Sequence, residues 1–474
     1  MKVAYLAVLL IMGAGACSAE TLQDALLAAY KSNPDLQAQR ARLRATDETY
    51  AQTLSEFGPT VSYQVQASYD REHLSKNARA AERLKQTNIP DYSEQNTYVG
   101  QLVVSQPLYT GGRFTSELRA ADATVKAGRE ALRTTEANVL YGTILSYADL
   151  RRDQEFVDIR QLNLDALKHQ VAEADARQRA GEVTRTDVSQ AQAQLASEQA
   201  LFASAQGQLR IDAASYAAVV GYQPGRLTPL PDLMGLPTSL DQAILAADRD
   251  NPDLQQARYI EQASHARIYS ARAGLRPSAS LQLQQGGQGP LVPYDNRDIN
   301  HGLGITATIV VPLYSNGLAQ SQVRQAIDQN AVDDMSVESV RRLVVKTISS
   351  LWVQREIALQ AIDTQQRQVD AAKIAFEGMR KEYSAGERST LDVLVAEETL
   401  RDAELSLAAA RHDAYVAGAA LLQNMGWLEI QNLAVTDEVY DPNAHLDRMV
   451  RTRSFSVLKP LKDVDALGLP PPLK

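Results

Sequence analysis

The 474-residue sequence predicts a mainly α-helical, internally duplicated chain in which two long coiled-coil hairpins alternate with four amphipathic β-strands. Three observations predict it: motifs that occur twice, two very long proline-free stretches of helical composition, and four short segments of period two. Asn33-Pro34-Asp35-Leu36-Gln37 returns as Asn251-Pro252-Asp253-Leu254-Gln255, an offset of 218, and Pro59 returns at that offset as Pro277. From Pro107 the offset becomes 205. Pro107-Leu108-Tyr109 recurs as Pro312-Leu313-Tyr314, Gly112 as Gly317, Ala180-Gly181-Glu182 as Ala385-Gly386-Glu387, Asp187-Val188 as Asp392-Val393, and Gly221 as Gly426. A constant offset over 107–221 requires rigid elements of fixed length. The 13-residue difference falls between Pro59 and Pro107, which locates a tolerant loop there. The repeats are 20–226 and 239–427, joined by 227–238 and followed by 428–474.

In chain order, residues 1–19 read as a secretory signal: Lys2, an apolar run from Val3 to Met12, then small residues from Gly13 to Ala19. Cleavage after Ala19 would remove Cys17, the one cysteine of the sequence. The alternative is lipidation at Cys17, because Ala14-Gly15-Ala16-Cys17 loosely resembles a lipobox, though without its usual Leu. The cleaved chain has 47 basic and 57 acidic residues, a net charge of −10 that argues against a nucleic-acid partner. Nothing after residue 19 forms an apolar run long enough for a transmembrane helix. An exported chain of this kind is either soluble or spans a membrane as a β-barrel, so its strands decide.

No proline occurs between Pro107 and Pro224, or between Pro312 and Pro442, and both stretches are rich in Ala, Gln, Glu, Arg and Leu. Each divides at its Ala-Gly-Glu, because Gly181 and Gly386 can adopt the left-handed conformation that ends a helix. Thr186 or Asp187, and Thr390 or Asp392, stand ready to cap the helix that follows. The hairpin tips are therefore 181–187 and 386–392. Heptads mark the helices after the turns: Val188, Leu195, Phe202, Leu209 and Tyr216, then Val393, Leu400, Leu407, Ala414 and Leu421. The incoming helices carry Leu118, Val125, Leu132 and Val139, matched by Val323, Val337, Val344 and Leu351, with Asn330 breaking the second row. A helix over 112–180 would be roughly 100 Å long, and its 34-residue return partner, 187–220, covers only half of it. The segment 35–57 supplies the other half, as 253–275 does in the second repeat.

The remaining elements alternate. The strands are expected at 59–70, 96–106, 277–286 and 300–311. Ala279, Leu281 and Leu283 oppose Ser280, Gln282 and Gln284; Leu303, Ile305, Ala307 and Ile309 oppose Gly304, Thr306 and Thr308. In the first repeat Val61, Tyr63, Val65, Ala67 and Tyr69 line one side. Strands of about ten residues are what a tilted outer-membrane strand needs. Tyr63, Tyr69, Tyr98, Tyr109 and Tyr314 would suit an interfacial girdle. Four strands cannot close a membrane barrel, whose smallest size is about eight. The β part must therefore pool strands with further copies of the chain.

These features together resemble the TolC-like outer-membrane efflux and secretion proteins over nearly the whole chain after residue 19. The resemblance is carried by the duplication, by Ser105-Gln106-Pro107-Leu108-Tyr109-Thr110-Gly111-Gly112-Arg113 at the strand exit, by Ala-Gly-Glu followed by Asp-Val at both hairpins, and by Gly221 and Gly426. It implies a homotrimer with a membrane β part, a twelve-stranded barrel, continued by a twelve-helix α-barrel in the periplasm. It also implies an entrance gate at the tips, in which Asp187 pairs with Tyr383 and Arg388 while Asp392 lines the pore. Val395 stands where one member of the family carries a second acid, so the acidic ring should be weaker here. The tips at Gly181, Glu182, Gly386 and Glu387 would dock a periplasmic adaptor, itself joined to an inner-membrane ABC or RND-type transporter. Val439-Tyr440-Asp441-Pro442-Asn443-Ala444-His445 resembles the type I secretion branch. Residues 227–238 and 428–474 would form an equatorial belt, with the last residues disordered.

No enzyme or cofactor is expected. Gly111-Gly112 lacks both the GxxxxGK[ST] and the GxGxxG pattern, the six histidines have no ligand spacing, and no GxSxG occurs. The implied function is an exit duct for type I secretion, multidrug efflux or both, located in the outer membrane of a Gram-negative cell. The alternative is a periplasmic coiled-coil adaptor or structural protein, which the four amphipathic strands argue against.

Overall fold

The computed structural model describes residues 20–73, 75–77, 92–291, 299–433, 439–453, 458–467 and 469. The expected signal at 1–19 and most of the tolerant loop lie outside them. The elements are α1 (Leu22–Ser32), α2 (Pro34–Glu56), β1 (Thr60–His73), β2 (Tyr92–Tyr109), α3 (Arg113–Arg179), α4 (Arg185–Val220), α5 (Leu240–Asp250), α6 (Pro252–Ala273), β3 (Ser278–Gly289), β4 (Asn300–Val310), α7 (Leu318–Ser384), α8 (Thr390–Asn424), α9 (Ile430–Leu433), α10 (Ala444–Arg453) and α11 (Leu458–Asp465). The two long helices have 67 residues each, as the constant offset requires. The chain forms two units, one of Met1–Ala41, Arg129–Gln255 and Glu338–Asp441, the other of Arg42–Gly128, Gln256–Val337 and Pro442–Lys474. Each unit draws on both repeats.

In the first unit the duplicated Asn-Pro-Asp-Leu-Gln closes a helix break that periodicity did not single out. Asn33 Oδ1 accepts from the N–H groups of Asp35 at 3.0 Å and Leu36 at 3.3 Å, and so caps α2. Its Nδ2 donates to the Val219 carbonyl at 3.3 Å near the end of α4. Pro34 opens α2, where no N–H is needed. Leu36 is fully buried, and Gln37 Nε2 reaches back to the Lys31 carbonyl at 2.9 Å. The second copy repeats the design. Asn251 Oδ1 accepts from the Leu254 N–H at 3.0 Å, its Nδ2 donates to the Asn424 carbonyl at 2.8 Å, and Gln255 Nε2 reaches the Arg249 carbonyl at 2.5 Å. The motif therefore joins the break to the end of the return helix in both repeats. Gly426 sits at this junction with φ +77°, and a Cβ there would lie 2.2 Å from the Asp250 carbonyl oxygen.

The second-repeat heptad is buried throughout, Val393, Leu400, Leu407, Ala414 and Leu421 alike. In α4 only Val188 and Tyr216 of the row are buried, and Leu195, Phe202 and Leu209 remain half-buried. Along α7 large apolar side chains stay exposed, among them Val332, Leu343, Ile357 and Ile374. Within one chain these rows are only partly covered.

The second unit holds the sheet. Its order is β1-β2-β3-β4, antiparallel throughout, with a bulge between Pro107 and Tyr109. Strands β1 and β2 run further than expected, to His73 and back to Tyr92. Beneath it Phe57 and Phe114 stack at 4.3 Å, with Leu54, Leu118 and Leu461 around them. Asn330, which broke the heptad row, bridges α7 to α6: its Nδ2 donates to Glu261 Oε1 at 2.9 Å and to Ser264 Oγ at 3.1 Å.

The strand exits turn through two left-handed residues, Gly111 and Gly112 in one repeat, Asn316 and Gly317 in the other. At the first exit the buried Asp465 carboxylate accepts from Thr110 N at 2.6 Å, Gly112 N at 3.3 Å and Thr115 N at 3.2 Å, and from both threonine hydroxyls. Within 428–474, the stretch expected to contribute to an equatorial belt, the chain forms α9, α10 and α11, and Asp465 caps α3. Residues 470–474 lie outside the described residues.

Candidate functional site

The register sorts the sheet into two chemically opposite faces. Val61 pairs with Val104, Val104 with Leu283, and Leu283 with Ile305; one row away Tyr63, Leu102, Gln285 and Leu303 align. Ala279, Leu281, Ala307 and Ile309 extend that face. The opposite face carries Thr60, Ser105, Gln282 and Thr306 in one row and Gln64, Gln101, Gly286 and Gly302 in another. The apolar face covers no core: Leu303 and Ile305 are each 66 % exposed and Ile309 72 %. An exposed apolar sheet face of this extent marks a surface that meets another apolar phase. Tyr69 and Tyr109 lie toward opposite ends of the β1–β2 pair, and the Tyr69 hydroxyl donates to Glu94 at 2.9 Å. Among the described residues β1 and β4 pair only inward, so both sheet edges are open.

The hairpin tips form the second candidate region, and they lie in the first unit. Gly181 and Gly386 take φ values of +81° and +83°, as the helix-ending reading requires, and both have open space around the Cβ position. The N-caps differ from the expected residues. Thr184 and Ser389 occupy them, and Asp187 and Asp392 are the third helical residues of two capping boxes. The Asp187 carboxylate accepts from Thr184 N and Oγ1, both at 2.8 Å; Asp392 accepts from Ser389 N at 3.0 Å and Oγ at 2.8 Å. Backbone hydrogen bonding, reinforced by the hydroxyl, holds both carboxyls below their usual range. Thr and Ser cap as well as Asp because each offers a short side-chain oxygen.

The four expected gate residues are close in sequence to the tips but engage other partners within one chain. Arg388 Nε donates to Glu382 at 2.8 Å. Asp187 bonds its own cap rather than Tyr383 or Arg388. Tyr383 lies under Arg177, whose guanidinium carbon is 4.9 Å from the ring centroid. Glu182, at the first tip, accepts from Arg177 Nε at 3.1 Å, and Glu387 donates its N–H to the Glu382 carbonyl at 2.9 Å. Sequence reading missed Arg177. It also missed Gln170, whose Nε2 donates at 2.5 Å to the buried Glu397 on the other hairpin. Their spacing of two helical turns was the available signal.

Higher in the same unit, Arg152 bridges Asp149 at 2.9 Å, Asp153 at 2.9 Å and Asp212 at 3.6 Å, and His412 Nε2 meets Asp149 at 2.8 Å. Burial opposes protonation of His412, but its hydrogen bonds to Asp149 and Asp413 prevail and raise it. This ionic group links α3, α4 and α8. Among the described residues no set of three or more His, Cys, Asp or Glu is placed to hold a metal ion.

A sequence profile described as outer membrane efflux protein matches twice, over residues 25–222 and 244–427, once per repeat. The chain is 32 % identical over 445 residues to the outer membrane efflux protein BepC of Brucella suis, covering 94 % of this chain and 93 % of that one. It is 24 % identical over 442 residues to the proteases secretion protein PrtF of Dickeya chrysanthemi, covering 91 % and 94 %. The solved structure of the CmeC outer membrane channel of Campylobacter jejuni superposes with a TM-score of 0.75 at 17 % identity, over 92 % of this chain and 90 % of that one. That last likeness speaks to the fold.

Proposed function

This chain belongs to the outer membrane efflux protein family, and from that premise we propose that three copies of it form one exit duct. It is an outer-membrane transport protein and not an enzyme. The observation that carries the proposal is the sheet. It has an exposed apolar face, a polar opposite face and two open edges, which one chain can neither cover nor close. Three such sheets, edge to edge, would make a twelve-stranded barrel with the Gln282–Thr306 face inward and the Leu283–Ile305 face toward lipid. The half-covered heptads of α4 and the exposed apolar row of α7 would pack between copies in a twelve-helix α-barrel.

In this reading the duct serves a tripartite exporter. Gly181, Glu182, Gly386 and Glu387 would dock a periplasmic adaptor, which connects the duct to an inner-membrane ABC or RND-type transporter. Relatives named for efflux and for protease secretion support both multidrug efflux and type I secretion as cargo classes. Asp187, Tyr383 and Arg388 would gate the entrance across neighbouring chains, and Asp392 would form a carboxylate ring in the pore. The test is trimer recovery from outer membranes, followed by conductance in planar lipid bilayers. A heat-sensitive trimer whose conductance rises in Arg388→Ser/Tyr383→Phe is expected. A monomeric protein without channel activity would overturn the duct, and unchanged conductance in the double variant would overturn the gate. Val replacing Gly181 or Gly386 penalises the left-handed turn and should block export while trimers persist.

A further inference from the structure

We propose that a cavity beside the segment 229–236 binds an anionic amphiphile, a single acid head carried on one alkyl chain. The cavity lies wholly in the first unit, between α3, α7, α8 and the stretch that joins α4 to α5. Its volume is about 590 Å³, within the range of small-molecule sites. All of its residues belong to one chain, so the site is present whether or not three copies assemble.

The lining divides by chemistry. Leu230, Leu233 and Leu236 of the joining segment, with Leu359 and Ile362 of α7, supply the apolar part. The cations are Arg151 and Arg152 of α3, Arg355 of α7 and Arg411 of α8. Arg152 is already neutralised by Asp149, Asp153 and Asp212. Arg151 and Arg355 are half-buried, and among the described residues neither has an ion pair or a hydrogen bond. Arg411 reaches the Gln366 amide oxygen, at 3.3 Å, and no carboxylate. The acids on the lining are Asp232 and Glu155. Three guanidiniums without a carboxylate partner thus meet two carboxylates, and the balance favours an added negative charge.

Tyr415 of α8 supplies the remaining polar group. Its hydroxyl is buried at the cavity with no hydrogen-bond partner among the described residues. Burial, with Tyr147 and Asp232 nearby, pushes this phenol above its ordinary range, so it remains a proton donor. A buried donor without an acceptor is destabilising, and so is a partly buried cation without a counter-ion. An acid head answers both needs, accepting from the Tyr415 hydroxyl and, in charge-assisted bonds, from Arg151 or Arg355. Its alkyl chain then covers the leucines. A cationic amphiphile would leave the donors unmet, and an inorganic anion would leave the apolar lining wet.

The experiment is calorimetric titration of the purified protein in nanodiscs of a zwitterionic phospholipid, with empty nanodiscs subtracted. The probes are octyl phosphate and octanoate; the controls are octyltrimethylammonium, octyl glucoside and inorganic phosphate. At least one of the two anionic probes should bind once per chain. Preference for the phosphate assigns a lipid-type head, and preference for the carboxylate a free fatty acid. Butyl phosphate, four methylenes shorter, should bind about a hundredfold or more weakly than octyl phosphate. Arg151→Gln and Arg355→Gln should each weaken the better probe about tenfold, and Tyr415→Phe about threefold or more. None of these changes removes a partner from another residue, so the ligand-free thermal midpoints should not fall, and that of Tyr415→Phe should rise. Three results would each overturn the proposal: no binding beyond that of empty nanodiscs, a control bound as tightly as the anionic probes, or unchanged affinity in Arg151→Gln/Arg355→Gln.

Discussion

Placing arginine at Ile305 or at Thr306, adjacent residues on opposite faces of β4, separates lipid from lumen. The strand runs Asn300–Val310, 11 residues, and Ile305 is its middle one. Five residues on either side extend about 17 Å, or about 12 Å of depth at a tilt of about 45°. Ile305 would therefore sit at the midplane of an apolar band about 25 Å tall. Its row neighbours are Leu283, Val104 and Val61, so a guanidinium there has no polar group beside it on the strand ladder. Arginine at such a depth costs roughly 2–4 kcal/mol per copy, or about 6–12 kcal/mol for a trimer, comparable to the whole stability of a typical domain. Thr306 lies in the row of Gln282, Ser105 and Thr60, where arginine meets hydroxyls, amides and water. The assay is trimer yield from outer membranes with the urea midpoint of the purified protein in vesicles. Ile305→Arg should abolish or sharply reduce the trimer, and Thr306→Arg should leave it near wild type. Equal responses would refute the facing of the sheet.

Other perturbations bear on the rest of the chain. Gly426→Ala should lower the thermal midpoint by circular dichroism, with roughly 1–3 kcal/mol from the left-handed backbone before the clash with Asp250 is added; Gly378→Ala, in open space within α7, should raise it. Asp392 has a depressed folded pKa, so its contribution to the cap is present above the ordinary carboxylate pKa and is lost as pH falls through the lower folded value. Cation preference, measured as reversal potential, should therefore persist into unusually acidic solution in wild type and be weakened at all pH values in Asp392→Asn. Burial and a hydrogen bond shared with Asp212 push the Asp153 carboxyl from 3.8 up to about 6, against the opposing Arg152. The folded chain then holds that proton more tightly, so stability falls as pH rises through this window. Asp153→Asn should flatten melting curves across it and raise the midpoint at pH 7, and an unaltered pH dependence would show that the proton resides elsewhere.

The features legible in the sequence were those imposed by periodicity. The strand faces follow from alternation alone, since Leu303, Ile305 and Ile309 can share a side only in an extended chain. The equal lengths of α3 and α7 follow from an unbroken offset. What escaped were contacts between residues far apart in the chain. Asp465 lies some 350 residues from the Thr110 and Thr115 it binds, in a tail whose composition gives no period. Arg177 and Tyr383 look like ordinary members of helix ends until a fold brings the ends together. The caps failed for a local reason: Thr184, Thr186 and Asp187 are all competent N-caps, and turn geometry alone chooses among them. Asn-Pro-Asp-Leu-Gln was visible as a repeat, yet its purpose depends on the carbonyls of Val219 and Asn424, which sequence does not place beside it.

The open sheet edges have a genetic consequence. If the outer strands, which among the described residues find no partner in their own chain, meet those of neighbouring copies as proposed, neighbours are selected by β1, β4 and the helix rows, without regard to the state of the hairpin tips. A copy with a ruined tip and intact strands is admitted to the assembly on equal terms. When such a variant is expressed at the level of the wild type, roughly one trimer in eight escapes it. Tip alleles should therefore be dominant. Alleles that spoil a strand edge are excluded from assembly and should be recessive.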